Sequence, residues 1–177
     1  FSGDIGRPDS PVIKSPDILR DLDVLIMEST YGNRLHSLAE EVEEDFSSTI
    51  SKVINDGGKV IIPAFAVGRT QTIVYMLHKL FDQNRIPEVP IYVDSPLAVE
   101  ATNIFRSHPE CMDRETYRIF LEEGTDPFGF GRLKYIKKSE ESKELNEKSG
   151  PMIIISASGM AEGGRILHHL ANNIGNP

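Results

Sequence analysis

The chain has 177 residues, 39% of them hydrophobic, with one cysteine and a formal net charge of −8. That length holds one sizeable core, or one domain with a piece of another. The lone Cys111 excludes an internal disulfide and a cysteine zinc cage, and no apolar run approaches the ~18 residues of a membrane span.

A cytoplasmic location without a membrane partner is therefore expected. The acidic balance argues against binding nucleic acid through the overall field, although a local basic groove remains compatible with it. The acidity gathers in Glu40 to Asp45 and Glu140 to Glu147, which read as solvated helix faces, while Arg7, Arg34, Arg69 and Arg165 fall in turns. The sequence opens at Phe1 in the middle of a motif, without methionine or a signal-like segment, and is read as a fragment of a longer protein.

In chain order, Phe1-Ser2-Gly3-Asp4-Ile5-Gly6-Arg7 places a carboxylate in a glycine-flanked turn after what reads as the tail of a strand. Val24 to Met27 is an apolar run of the kind that fills a strand buried on both faces, and it stops at Glu28. Ligands collect at the carboxyl ends of strands in open α/β folds. Either acid alone is equally consistent with a solvated turn; two at successive strand ends favour a site.

Leu38, Val42, Phe46, Ile50 and Ile54 recur every four residues and predict a helix from about 38 to 55, ended by Gly57-Gly58. Lys59 to Ile62 is a predicted buried strand running into a turn at Pro63 to Gly68. Gly68-Arg69-Thr70-Gln71 then opens a helix whose buried face is Ile73, Val74, Leu77, Leu80 and Phe81. Free amides and the helix dipole make such a start an anion site, with Arg69 and Thr70 as further donors; the alternative is an ordinary turn capped by Thr70.

Pro90 to Val93 is a strand, after which Asp94 or Ser95 caps a helix from Pro96 to about Ser107. That structural role suffices for Asp94. A helix is expected at about 114 to 122. In the loop Asp126 to Gly131, Phe128 and Phe130 have the chemistry to stack on bases, but pinning the loop to the core is preferred. A strand at Leu133 to Ile136, a charged helix at Ser139 to Lys148 and a buried strand at Pro151 to Ile155 follow.

The last strand ends in Ser156-Ala157-Ser158-Gly159-Met160, a second phosphate-loop candidate with Ser156 and Ser158 as donors and Gly159 allowing close approach. Gly163-Gly164 then precede a helix carrying Arg165. His168 and His169 on that helix diverge by about 100° around its axis, so they do not chelate one metal together; one packed and one exposed histidine are expected. Strand and helix alternate throughout, which predicts an α/β fold with a mainly parallel sheet flanked by helices.

The blocks Phe-Ser-Gly-Asp-Ile-Gly-Arg at 1–7, Glu-Ser-Thr-Tyr-Gly at 28–32, Pro-Ala-Phe-Ala-Val-Gly-Arg-Thr-Gln at 63–71, Asp-Ser-Pro-Leu-Ala at 94–98, and Ser-Ala-Ser-Gly-Met with Gly-Gly-Arg at 156–165 together resemble the β-CASP nucleases of the metallo-β-lactamase superfamily. That group includes bacterial and archaeal homologues of the endonuclease that cleaves pre-mRNA 3′ ends, and RNase J. The resemblance implies a β-CASP domain inserted in a metallo-β-lactamase αββα domain, with the active site in the cleft between them. Residues 1–34 would be the last part of the first metallo-β-lactamase segment, and 35–177 most of the β-CASP domain.

By the same resemblance, Asp4 corresponds to the carboxylate that bridges two zinc ions. Glu28 corresponds to the acid that orients a histidine protonating the leaving oxygen. The parent protein would be a zinc-dependent nuclease hydrolysing RNA phosphodiester bonds in RNA processing or decay, with DNA a possible substrate. Gly68, Arg69, Thr70, Ser156, Ser158, Gly159 and Arg165 would hold substrate. The family's His-x-His-x-Asp-His cluster before the first block and its later histidines are missing from the sequence, so the fragment is expected to be inactive without the metallo-β-lactamase segments of its own chain, and prone to self-association through uncovered apolar surface. A non-catalytic RNA-binding or scaffold subunit of the same fold is the alternative. A nucleotide-binding domain built on Gly68-Arg69-Thr70 stands further behind, for want of a P-loop ending or a Gly-x-Gly-x-x-Gly fingerprint.

Overall fold

Four-residue apolar spacing produces the first helix, α1 (Ala39–Asn55), in the computed structural model, which describes residues 1–175. Only its second half buries the expected stripe: Ile50 and Ile54 are in the core, Phe46 is half-buried, and Leu38 and Val42 are exposed. Gly57, at φ 81°, and Gly58 return amides to Ile54 and Val53 and end the helix. The chain then alternates through β1 (Lys59–Pro63), α2 (Arg69–Asp82), β2 (Ile91–Asp94), α3 (Pro96–Ser107), α4 (Arg114–Tyr117) with a wide turn at Arg118–Glu122, β3 (Leu133–Ile136), α5 (Ser139–Glu147), β4 (Met152–Ser156) and α6 (Ile166–Asn173).

The four strands form one parallel sheet in the order β1-β4-β2-β3. Alternate residues face opposite sides. Ile91, Val93, Ile153 and Ile155 join Ile50 and Ile54 of α1, Val74, Leu77 and Leu80 of α2, and Ala98 of α3 in the larger core. Tyr92, Ile136, Met152 and Ile154 join Leu145 of α5 on the other face, where α6 packs beside α5. This is the expected α/β architecture.

Two strand expectations are corrected. β1 is the sheet edge and is half-buried rather than buried, because only β4 pairs with it. Val24 to Met27 forms neither a strand nor a buried element: its four side chains are exposed, and Ile26 contributes its carbonyl to the amide of Ser2 at 2.9 Å. The strand tail expected before Gly3 is likewise irregular chain. An apolar run becomes a buried strand only where neighbouring strands and a covering layer meet it, and the described residues supply neither. Elsewhere in this segment Val12 is buried, and Ile13 bridges Met112, with backbone bonds from Lys14 to Cys111 and from Asp113 to Val12, so the loop is stitched to the layered part.

Two further expectations hold in detail. Phe128 is fully buried, edge-on to Phe105, and Phe130 stacks on His78, so the aromatic loop is pinned to the core. His169 is buried and His168 exposed. The acidic run in α1 is not wholly solvated: Glu43 is largely covered and pairs with Lys79 of α2 and with Arg85 just beyond it.

Candidate functional site

Strand order determines where loops can open. The turn after β1 feeds α2 on one face of the sheet, and the turn after the adjacent β4 feeds α6 on the other. Neighbouring parallel strands whose connections leave to opposite faces open a crevice at their carboxyl ends, the usual ligand position in open α/β sheets. Both predicted phosphate loops lie at these two strand ends, where that strand order places such a crevice. Ala64 donates its amide to the Ser156 carbonyl at 3.0 Å, and a Cβ on Gly159 would lie 2.9 Å from the Phe65 nitrogen. Phe65, Val67, Leu97 and Met160 are apolar and exposed around it.

The start of α2 is not the open anion site expected. The Gly68 amide is taken by Gln71 Oε1 at 2.7 Å, Arg69 by the Val67 carbonyl at 3.0 Å, and Thr70 by the Phe65 carbonyl at 3.1 Å. Thr70 is buried and its hydroxyl donates to the same Phe65 carbonyl at 2.8 Å, so it braces the turn from within the helix rather than capping it or facing outward. Gln71 is buried and ties the turn to Ala66 and Thr102. Arg69 is exposed and its side chain bonds to nothing among the described residues. The unpartnered amides on this wall, among the described residues, lie further back at Phe65, Ala66 and Val67.

The loop after β4 is open. Among the described residues, the amides of Gly159, Met160, Glu162, Gly163 and Gly164 have no hydrogen-bond partner, and neither has the half-buried Ser158 hydroxyl. The loop is braced internally by Ser158 N to the Gly163 carbonyl at 3.1 Å and by Ile166 N to the Ala157 carbonyl at 3.1 Å. Two of its glycines, Gly159 and Gly164, are sterically required: Gly164 has φ 81° and a Cβ there would fall 2.4 Å from the Ala157 oxygen.

Ser156 and Arg165, expected to touch substrate, are spent inside the protein. Ser156 is buried and donates to the Asp94 carbonyl at 2.9 Å. Arg165 donates from Nη1 to Asp94 Oδ1 at 2.6 Å and from Nη2 to the Lys137 carbonyl at 2.8 Å. Asp94 is fully buried and does not cap α3; Ser95 does, accepting from the Ala98 amide at 3.2 Å. Burial pushes the Asp94 carboxyl upward, but hydrogen bonds from His169, Ser142 and Arg165 outweigh it and hold the group below the usual carboxylate range.

Sequence reasoning missed this network. Its trace in the sequence is two polar pairs at four-residue spacing, Ser142 with Asn146 on α5 and Arg165 with His169 at the start of α6, and nothing local links either pair to Asp94.

At the other end of the chain, the turns carrying Asp4 and Glu28 meet. Ile5 donates its amide to Glu28 Oε1 at 2.8 Å, and Thr30 donates its hydroxyl to Oε2 at 3.0 Å. The Ile5 bond first, then that from Thr30, holds the Glu28 carboxyl below its ordinary value. Asp4 is exposed beside Gly3, which has φ 60°. Among the described residues, no three His, Cys, Asp or Glu side chains converge as a metal site.

Comparison with known proteins agrees with this architecture. The family model described as the Beta-Casp domain matches residues 70–177. Ribonuclease TTHA0252 of Thermus thermophilus is 37% identical over 177 residues, 100% of this chain and 40% of the relative. An RNase J-like protein of Methanocaldococcus jannaschii is 36% identical over 173 residues, 96% of this chain and 39% of the relative. Endoribonuclease YSH1 of Kluyveromyces lactis is 28% identical over 169 residues, 93% and 22% respectively. The chain thus spans well under half the length of these relatives. With the family model matched over most of its layered part, the chain belongs to the Beta-Casp family of the metallo-β-lactamase superfamily.

Proposed function

We propose that the full-length protein is a zinc-dependent nuclease that hydrolyses RNA phosphodiester bonds, in which this chain supplies one metal-ligating carboxylate, one acid that positions a proton donor, and a wall that receives substrate phosphates. Family membership and three relatives named as ribonucleases or RNase J-like support the reaction class. The observation that carries it here is the Ile5 amide on Glu28 Oε1 at 2.8 Å, which joins two acidic turns 23 residues apart. In this reading residues 1–34 belong to the metallo-β-lactamase part and 35–177 to the Beta-Casp part.

Asp4, an exposed carboxylate in a glycine turn, fits one hard oxygen ligand of such a centre. It is one ligand only, and the proposal assigns the others to segments of the relatives that this chain does not span. Bound zinc would supply Lewis acidity that readies a water for attack on phosphorus. Glu28, ionised and fixed by two donors, would orient a neighbouring imidazole and stabilise its protonated form. In the crevice, Arg69, Ser158 and the unpartnered amides of Gly159, Met160, Glu162, Gly163 and Gly164 would bind phosphate oxygens, and exposed Phe65 and Met160 would contact bases.

The test is zinc content and cleavage of a labelled RNA by the full-length protein, with Asp4→Ala and Glu28→Gln. Two zinc ions in the wild type, loss of cleavage in both variants and loss of zinc in Asp4→Ala alone are expected. Full cleavage by Asp4→Ala would overturn the reading, and tight RNA binding without metal or cleavage would make the protein an RNA-binding scaffold.

A further inference from the structure

Both ends of the open loop are fastened to one buried residue. Ser156, where the loop leaves β4, donates to the Asp94 carbonyl at 2.9 Å, and Arg165, where the loop enters α6, donates to Asp94 Oδ1 at 2.6 Å. Oδ2 accepts from Ser142 at 2.5 Å and faces His169 Nε2 at 2.6 Å. The residues from 157 to 164 are thus suspended between two ties to a single side chain and its backbone. The same Arg165 reaches the Lys137 carbonyl at 2.8 Å, which adds the end of β3.

His169 is fully buried, with Nδ1 2.9 Å from Asn146 Oδ1 and Nε2 2.6 Å from Asp94 Oδ2. Asn173 Nδ2 donates to the His169 carbonyl at 2.8 Å and to Asn146 Oδ1 at 3.3 Å, which holds Asn146 beside the ring. Nε2, facing a carboxylate oxygen, is the donor in that pair. Every buried side-chain polar atom among the described residues has a partner.

The fold does not require this carboxylate. Ser95 caps α3, and the strands pair through their backbones. A buried acid that draws three donors from two helices is costly to desolvate and is best accounted for by the one conformation it enforces. The part it enforces is the loop whose amides face the crevice.

We infer that Asp94 and His169 are positioning residues which, through Ser156 and Arg165, hold the 156–165 loop in the one geometry that presents its amides to a substrate phosphate. Neither side chain touches the crevice. The phosphate half of this statement rests on the proposed nuclease function; the loop half does not, and the two are read separately.

The experiment uses the full-length protein, with hydrogen exchange of the amides of residues 157–165 measured beside steady-state cleavage of a short labelled RNA. In Asp94→Asn, exchange in the loop accelerates while that in α2 is unchanged, and KM rises about ten-fold with kcat within about two-fold, the pattern of lost ground-state binding. His169→Gln, which keeps a donor toward Asp94, retains a KM within about three-fold of wild type, whereas His169→Leu, which has none, reproduces Asp94→Asn. Unchanged loop exchange in folded Asp94→Asn or His169→Leu overturns the inference. Faster exchange with unchanged KM overturns its substrate half. If Asp94→Asn does not fold, the Gln and Leu pair at 169 decides alone: equal loop exchange in that pair overturns the inference, and equal KM values overturn its substrate half. Should the wild type neither bind nor cleave RNA, the nuclease reading fails while loop exchange still decides the positioning role.

Discussion

The turn after β1 and the loop after β4 are neighbours at the same end of the sheet, and in sequence both read as glycine-rich anion loops. They differ in where their polar groups go. The first closes on itself: the amides of Gly68, Arg69 and Thr70 and the Thr70 hydroxyl all find partners within the turn, and a Cβ on Gly68 would meet nothing within 4 Å. The second leaves the amides of Gly159, Met160, Glu162, Gly163 and Gly164 free among the described residues and is held from outside by Asp94, with Gly159 and Gly164 packed so closely that no side chain fits. A helix start preceded by glycine is an anion site only if its own side chains have not already capped it.

The largest effect comes from cutting the external tie. Asp94→Ala leaves Arg165 without its counter-charge and removes the acceptor that faces Ser142 and His169 inside the protein, which costs about 3–5 kcal/mol, measured as urea unfolding of the full-length protein. The same tie gives an acid limb to stability. Because the folded Asp94 carboxyl lies below its ordinary 3.8, its contribution is complete above that pH and is lost as pH falls through the lowered folded value. Asp94→Asn flattens that limb. An unchanged acid limb in the variant would mean the network does not stabilise the loop.

A smaller effect separates the two glycines. Gly68→Ala meets open space and suffers only from its backbone, at φ 80° and ψ −66°, about 1–3 kcal/mol. Gly164→Ala also has a positive φ and in addition sets a methyl 2.4 Å from the Ala157 oxygen, so its unfolding free energy falls further than that of Gly68→Ala. Equal losses would contradict the packing difference between the loops. The smallest effect is at Arg69, exposed and without a side-chain partner among the described residues. Arg69→Ala leaves stability within about 0.5 kcal/mol and lowers the salt slope of RNA affinity by about 0.7, as expected for one phosphate contact on a single strand.

The fold was largely legible because each strand is a short, mostly apolar run that ends at a turn and leads into a helix. Lys59–Pro63, Ile91–Asp94, Leu133–Ile136 and Met152–Ser156 all follow that grammar. Val24 to Met27 follows it too and is not a strand, since periodicity records what a segment could bury and not whether a partner strand is present. Of the residues read as substrate contacts, Arg69, Ser158 and Gly159 remain accessible to the crevice, whereas Thr70, Ser156 and Arg165 are spent on Phe65 and Asp94. Nothing local distinguishes these groups, because the partners lie on other strands and helices. Asp94 itself resembled a cap, and only the arrival of α5 and α6 reveals it as the centre of a buried network.

The most direct test of the contrast between the loops is the amide exchange footprint of a non-hydrolysable phosphorothioate RNA on the full-length protein. Slowed exchange at Gly159 to Gly164, with Gly68 to Thr70 unaffected by RNA, is the predicted result. Slowed exchange at Gly68 to Thr70 with no change at Gly159 to Gly164 would contradict it and return the phosphate to the start of α2.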